Sequence, residues 1–294
     1  MRPRRCIAAL MLFLLMWAAP MPAMATAAAS NHNDLLWRIA AQEQASLEQR
    51  GIVLQDASLS NYLQHVVERL WKQVDTDLEP PVVQVIMDTR MEAFAYPNGY
   101  CFLTSGILLQ IENEDQLAMI LAHEMVHYTR QHTARLYNHL HNPEHDTGLQ
   151  YADHSPVGSA KDVAKKIDAA EYQADCQGLS ILKGAGYCEA EVLTLMSNLM
   201  ESIRNHGTPE ALKKMGNRRV TIKTLIGQDQ GELSSGSAVE ASSERYLTRI
   251  APALMANAQA ALQRGDWKQA DTSVSKFLDL KPDDARAYYI QGEI

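Results

Sequence analysis

The sequence predicts a mainly α-helical chain with a small antiparallel or mixed β-sheet and a C-terminal α–α hairpin. Three observations predict it. Most of the chain spaces its apolar residues three and four apart, as an amphipathic helix does. Residues 82–103 break that rhythm with β-branched and aromatic runs around a turn tripeptide. The composition, 46% hydrophobic and 21% charged over 294 residues, is globular and allows one large domain or two smaller ones. A formal net charge of −8 argues against nucleic acid as a partner, because no basic field would meet the phosphates.

The elements follow in order. Arg2, Arg4 and Arg5 precede an apolar run from Ile7 to Ala19, and Ala23-Met24-Ala25 offers a cleavage site. That run reaches about 20 Å as a helix, short of a bilayer core of about 30 Å. Residues 1–25 are therefore expected to be a cleaved export signal, leaving an exported, soluble protein with no membrane span. Cys101, Cys176 and Cys188 would remain in an oxidising compartment, with Cys176–Cys188 the nearest pair for a disulfide. Residues 34–50 and 57–74 read as helices, and Pro80-Pro81 ends them. Val82 to Met87, Ala93 to Tyr96 and Tyr100 to Leu103 read as strands, the last two joined by Pro97-Asn98-Gly99. A helix starts at Asn113, with Gln116 as the partner of its capping box, and runs to about Ala134. Residues 137–160 read as a His-rich loop. Helices resume over 163–183 and 189–204, and the Gly-, Ser- and Ala-rich residues 231–243 read as a linker. The expected division is a domain at 26–230 and a helical tail at 244–294.

The chemistry centres on His123-Glu124-Met125-Val126-His127. Four helical residues turn about 400°, so both imidazoles share a face about 6 Å apart and can hold one metal ion. Glu124 sits at the edge of that face, where a carboxylate reaches a water on the metal without ligating. Leu117, Ile120, Leu121 and Val126 make the helix core-packed, and polar groups buried there need a partner. A catalytic zinc takes three protein ligands, so a third must come from elsewhere. A nearby histidine in the Gly-then-His spacing fails: Arg130 and Thr133 hold those places, and His132 is one residue short. Glu171 and Asp175, four apart on a later helix, supply the alternative. One can ligate while the other orients a ligand imidazole.

Together Glu92-Ala93-Phe94-Ala95, Pro97-Asn98-Gly99, Ser105-Gly106-Ile107-Leu108, the His123–His127 motif and Glu171-x-x-Ala174-Asp175 resemble the HtpX/BepA-type zinc metallopeptidases. The resemblance covers about residues 60–205 and points to the exported branch, in which a gluzincin-like peptidase domain precedes tetratricopeptide repeats. It implies one zinc per chain held by His123, His127 and Glu171, Glu124 as general base, and Asp175 behind His123. It also implies that Ala93, Phe94, Ala95 and Tyr96 form an edge strand that pairs with substrate backbone. The chain departs from the family pattern at Glu92, where Asn is usual, and at Asn98, where Gly is usual. A downstream His-Pro followed by Arg is also missing. His206, followed by Gly207, is the candidate transition-state donor or fourth ligand in its place. His139, His141, His145 and His154 could form a second metal site, against the simpler reading of a solvated loop.

In the tail, Ala258, Ala270 and Pro282 match the small, small and proline positions of a tetratricopeptide hairpin, and Ala285 restarts the count. The sequence thus predicts an exported zinc endopeptidase, and the resemblance implies that it acts on unfolded or misassembled envelope proteins, with a protein partner docking through the tail. The alternative is a periplasmic chaperone or adaptor whose zinc site is latent.

Overall fold

The computed structural model describes residues 31–141, 160–228 and 236–294; the expected export signal lies outside them. Helices α1 (Asn31–Gln49) and α2 (Ala57–Trp71) fall where the apolar spacing puts them. Asp56 caps α2, its carboxylate accepting the Leu59 N–H at 2.8 Å. Leu59, Leu63, Val66, Val67 and Leu70 then face the core as one stripe.

Strands β1 (Val82–Ile86), β2 (Ala93–Ala95) and β3 (Tyr100–Thr104) form a mixed sheet in the order β1-β3-β2. β3 runs parallel to β1 and antiparallel to β2, which it joins through the Pro97-Asn98-Gly99 turn. Gly99 adopts φ +84°, a conformation that costs an L side chain about 1–2 kcal/mol. The pleat separates two faces. Val83, Val85, Cys101 and Leu103 join the main core, while Phe94, Tyr96, Tyr100 and Phe102 gather on the other side. α1 is tied to that hairpin: the Tyr96 hydroxyl donates to Glu43 at 2.8 Å, and Asn98 donates to Gln44 at 3.2 Å.

The remaining elements are α3 (Ser105–Gln110), α4 (Glu114–Thr129), α5 (His132–His141), α6 (Ala160–Gly184), α7 (Glu191–His206), α8 (Pro209–Gln228), α9 (Gly236–Arg264), α10 (Trp267–Leu280) and α11 (Ala285–Glu293). α3 and α8 carry no expectation from the sequence. The single helix expected from Asn113 to Ala134 is divided instead. Gln131 takes φ 52° and its N–H turns back to the Tyr128 carbonyl, which ends α4 and re-aims the chain into α5. α5 also makes residues 137–141 helical rather than loop, while residues 142–159 lie outside the described residues.

The expected linker is corrected as well. Residues 236–243 form the first turns of α9, and residues 231–235 lie outside the described residues. Serine and glycine gave that stretch its linker composition, but Ala238, Glu240 and Ala241 favour helix. Nor does the tail stand apart. Tyr246, Ile250, Leu254, Val274 and Phe277 belong to the same buried cluster as α2, α3 and α4. A polar chain runs through that contact: Ser105 Oγ donates to Asn257 at 3.0 Å, and Asn257 Nδ2 donates to Ser273 Oγ at 2.8 Å. No helix among the described residues is long and apolar enough to cross a membrane.

Candidate metal centre

α4 is buried from Gln116 to His127 without interruption. Its first turn is closed by Asn113, whose side-chain Oδ1 accepts the Gln116 N–H at 3.0 Å, while Gln116 Oε1 accepts the Glu112 N–H at 2.9 Å. α6 lies against α4 at backbone distance. A Cβ added to Gly178 would stand 3.2 Å from His123 N, so glycine is what admits the helix this close. That approach brings Glu171 over the two imidazoles.

His123 Nε2 and His127 Nε2 lie 3.1 Å apart, and the Glu171 carboxylate sits 3.5 Å from the first and 3.6 Å from the second. These ligand atoms all fall within 4.8 Å of one another. Metal–nitrogen bonds of about 2.0–2.1 Å at a tetrahedral angle give a separation of about 3.3 Å, so the donor set fits one ion. Electrostatics agree. Burial pushes the His123 imidazole down, but the Asp175 and Glu171 carboxylates outweigh it and raise its pKa to about 10. Burial and the His123 charge push His127 down to about 3. Burial works to raise Glu171, yet its contact with His123 and the Arg218 charge hold it well below the usual carboxylate range. The Glu171 and Asp175 carboxylates thus stay ionised around the ligand nitrogens.

Glu124 is 7% exposed beside this set, and burial is the chief reason its pKa rises to about 7. The Ala95 N–H acts in the opposite direction. That contact shows which way β2 points. Tyr96 N–H donates to the Tyr100 carbonyl, and Thr104 N–H donates to the Glu92 carbonyl. Alternation then turns the polar backbone groups of Ala93 and Ala95 away from β3, towards the open edge and Glu124.

Behind the ligands, Asp175 Oδ1 lies 3.1 Å from His123 Nδ1. Arg218 on α8 is a site residue that sequence reasoning left unassigned. Its Nε and Nη2 donate to Asp175 at 2.8 and 2.7 Å, and its Nη1 lies 3.0 Å from Glu171 Oε2. One signal could have found it. Ala211, Met215, Arg218 and Ile222 recur at helical spacing, so the arginine stands inside an apolar stripe. His132 opens α5, with its Nδ1 3.1 Å from His127 Nδ1 and its Nε2 3.0 Å from Gln173 Oε1.

Other candidates separate from this cluster. His206 closes α7, but its side chain lies outside the described residues. Of the proposed second metal set, His145 and His154 lie outside them as well. Among the described residues the grouping able to hold a metal is His123, His127 and Glu171. The weighed Cys176–Cys188 bridge is not formed: Cys101, Cys176 and Cys188 are free thiols.

Comparison with known proteins gives this geometry its context. The profile of peptidase family M48 matches residues 57–142. A putative beta-barrel assembly-enhancing protease of Vibrio cholerae is 35% identical over 83 residues, which are 28% of this chain and 17% of that protein. The beta-barrel assembly-enhancing protease of Escherichia coli K12 is 22% identical over 174 residues, covering 53% of this chain and 36% of that one. The mitochondrial metalloendopeptidase OMA1 of Schizosaccharomyces pombe is 42% identical over 52 residues, 18% of this chain and 15% of its own length. The chain thus aligns with little more than a third of these relatives at most. The matched family segment holds β2, both histidines and Glu124, and the structure adds Glu171, Asp175 and Arg218 from α6 and α8. Residues 57–142 thus match peptidase family M48, and the chain is similar in sequence to the beta-barrel assembly-enhancing proteases over part of their length.

Proposed function

We propose that the chain is an exported, zinc-dependent endopeptidase that cleaves unfolded or misassembled envelope proteins. The observation that carries this reading is the convergence of His123, His127 and Glu171 beside a buried Glu124 held near neutrality. His123, His127 and Glu171 would hold the metal, and three protein ligands of that composition suit a catalytic zinc with one position left open. Zinc held there would supply Lewis acidity to a peptide carbonyl and to water. Glu124 is placed to take a proton from an attacking water and return it to the departing amine, a role suited to a carboxyl whose pKa lies close to the working pH. Asp175 stands 3.1 Å from His123 Nδ1, placed to hold the imidazole with its other nitrogen towards the metal position, and Arg218 keeps Asp175 and Glu171 ionised.

The open edge of β2 faces Glu124, so an extended chain laid along it would pass the base. Only unfolded segments can adopt that pose, which supports misassembled proteins as substrates. The basic, apolar and small-residue succession at 1–25 supports export, and the small-residue positions of the tail support a protein partner there.

A second reading has its own observation. Arg218 Nη1 stands 3.0 Å from Glu171 Oε2, so the guanidinium competes with a metal for that oxygen. A client-binding module with a latent site would use the same fold. Digestion of an unfolded casein-type protein decides between them. The peptidase reading expects cleavage that a chelator stops and added zinc restores. Client binding that survives chelation, without cleavage under any metal condition, supports the module.

A further inference from the structure

Counted along a continuous helix, His132 would stand five residues beyond His127, rotated by roughly 140° and pointing elsewhere. The left-handed turn at Gln131 undoes that rotation. It brings the His132 ring edge-on to His127, with centroids 4.9 Å apart and planes at 81°, and leaves His132 only 6% exposed. A non-glycine residue at positive φ is uncommon, and here it serves to aim one buried polar side chain at another.

The hydrogen bonding admits one consistent arrangement. His127 must present a bare Nε2 to the metal, so its proton sits on Nδ1. That proton is donated to His132 Nδ1 at 3.1 Å, which requires His132 to carry its own proton on Nε2. His132 Nε2 then donates to Gln173 Oε1 at 3.0 Å. Every atom in the chain alternates donor and acceptor, and it ends on α6, two residues beyond Glu171. α6 therefore grips both imidazoles from behind, His123 directly through Asp175 and His127 through His132 and Gln173.

We infer that His132 is a positioning residue for the metal ligand His127, fixing its tautomer and ring orientation through a relay anchored on Gln173. The relay is neutral, in contrast to the carboxylate behind His123, so it orients its ligand without adding charge. His132 faces the far nitrogen of His127 and lies outside the ligand grouping, so it does not itself bind the ion.

This inference rests on the zinc reading proposed above, and its test separates the two. Zinc affinity is measured on the full chain by competition with a chromogenic chelator, with the visible spectrum of the cobalt(II) form as a second readout. His132→Leu, which fills the space without an acceptor, is expected to weaken zinc about 10–100-fold and alter the cobalt spectrum. His132→Asn places an oxygen where Nδ1 stands and is expected to recover most of the loss. Gln173→Ala is expected to have a smaller effect, and none beyond that of His132→Leu when the two are combined, as for members of one chain. Gln173→Ala also keeps the test open should His132→Leu not fold, because Gln173 is half-exposed. Wild-type affinity and spectrum in folded His132→Leu would overturn the inference, as would His132→Asn behaving no better than leucine. A wild-type chain that takes up no zinc overturns the metal reading itself, an outcome distinct from any variant effect.

Discussion

Along α4 and α6 the chemistry is carried by side chains, whereas along β2 it is carried by the backbone. His123, Glu124 and His127 are each under 10% exposed; Asp175 stands behind His123, His132 stands behind His127, and the Arg218 guanidinium holds Asp175 and Glu171. β2 is three residues long, its middle side chain packs with Tyr96 and Phe102 on the other face, and what it offers the cleft is the N–H and C=O of two alanines. The first region is over-determined, since each ligand is fixed by at least one further group. The second is determined only by register, and a shift of one residue would turn Ala93 and Ala95 to face β3. Glu124 is where the two meet, because it accepts from Ala95 while standing beside His123.

The sharpest break of this comparison is Glu124→Gln. The amide keeps the volume and the contact with Ala95 but cannot accept a proton. We expect turnover to fall about 10²–10⁴-fold with zinc content and melting temperature retained. Loss of zinc in this variant would move Glu124 from the base into the ligand set, and the division of roles would be wrong.

Arg218→Leu tests whether the side-chain region is as over-determined as it looks. The substitution strips Asp175 of two donors and leaves two neighbouring carboxylates without their half-buried cation. Breaking a fully buried pair costs about 3–5 kcal/mol, and this partly exposed one costs less, so the metal-free chain should melt at a lower temperature. Saturating zinc should recover part of the loss, because the ion restores positive charge beside Glu171. Equal destabilisation with and without zinc would show that the two cations do not share that carboxylate.

Gly178→Ala probes the spacing of the same helices. The added methyl meets the His123 backbone at 3.2–3.3 Å, and α6 must move back by a few tenths of an ångström. Overpacking of this kind costs about 1–3 kcal/mol. Since Glu171 and Gln173 ride on the displaced helix, zinc affinity should fall with stability. A stable variant with full zinc affinity would mean that α6 adjusts locally and that glycine is not what sets the site.

What could be read in advance follows the same division. The spacing His123–His127 and the pair Glu171 and Asp175 announce themselves because side-chain types at helical intervals are written in the sequence. Arg218 was missed because its meaning depends on α8 returning to α6, a contact that no local pattern encodes. The helical break at Arg130–Gln131 was missed because a left-handed residue other than glycine leaves no compositional mark. Serine and glycine give 231–243 the composition of a linker, yet packing of Tyr246, Ile250 and Leu254 on the core commits residues 236–243 to α9. The edge strand was legible as a strand, but the direction of its N–H groups was not. That direction depends on the pairing of Phe94 with Phe102, which only the folded hairpin fixes.

The direction matters for the gentlest test, which concerns two alanines on the same edge. Proline at either position removes one outward N–H and leaves the inward bonds of Glu92, Phe94 and Tyr96 to β3 in place, as an edge strand tolerates. The two N–H groups have different neighbours. Ala95 N–H reaches Glu124, so Ala95→Pro should act on kcat by freeing the base from a contact that lowers its pKa. Ala93 lies two residues back along the same edge, and its N–H is placed to pair with an extended substrate. Ala93→Pro should raise KM while kcat stays near wild type. One backbone hydrogen bond contributes about 0.5–1.5 kcal/mol, so each parameter should move roughly two- to tenfold. Steady-state kinetics on a quenched fluorescent peptide would read the split, with zinc content confirming that α4 and α6 are intact. If both variants change kcat alone, the edge serves only to hold Glu124, and substrate runs along another wall of the cleft. If both change KM alone, the Ala95 contact with the base is released whenever substrate binds, and the two alanines act as one pairing edge.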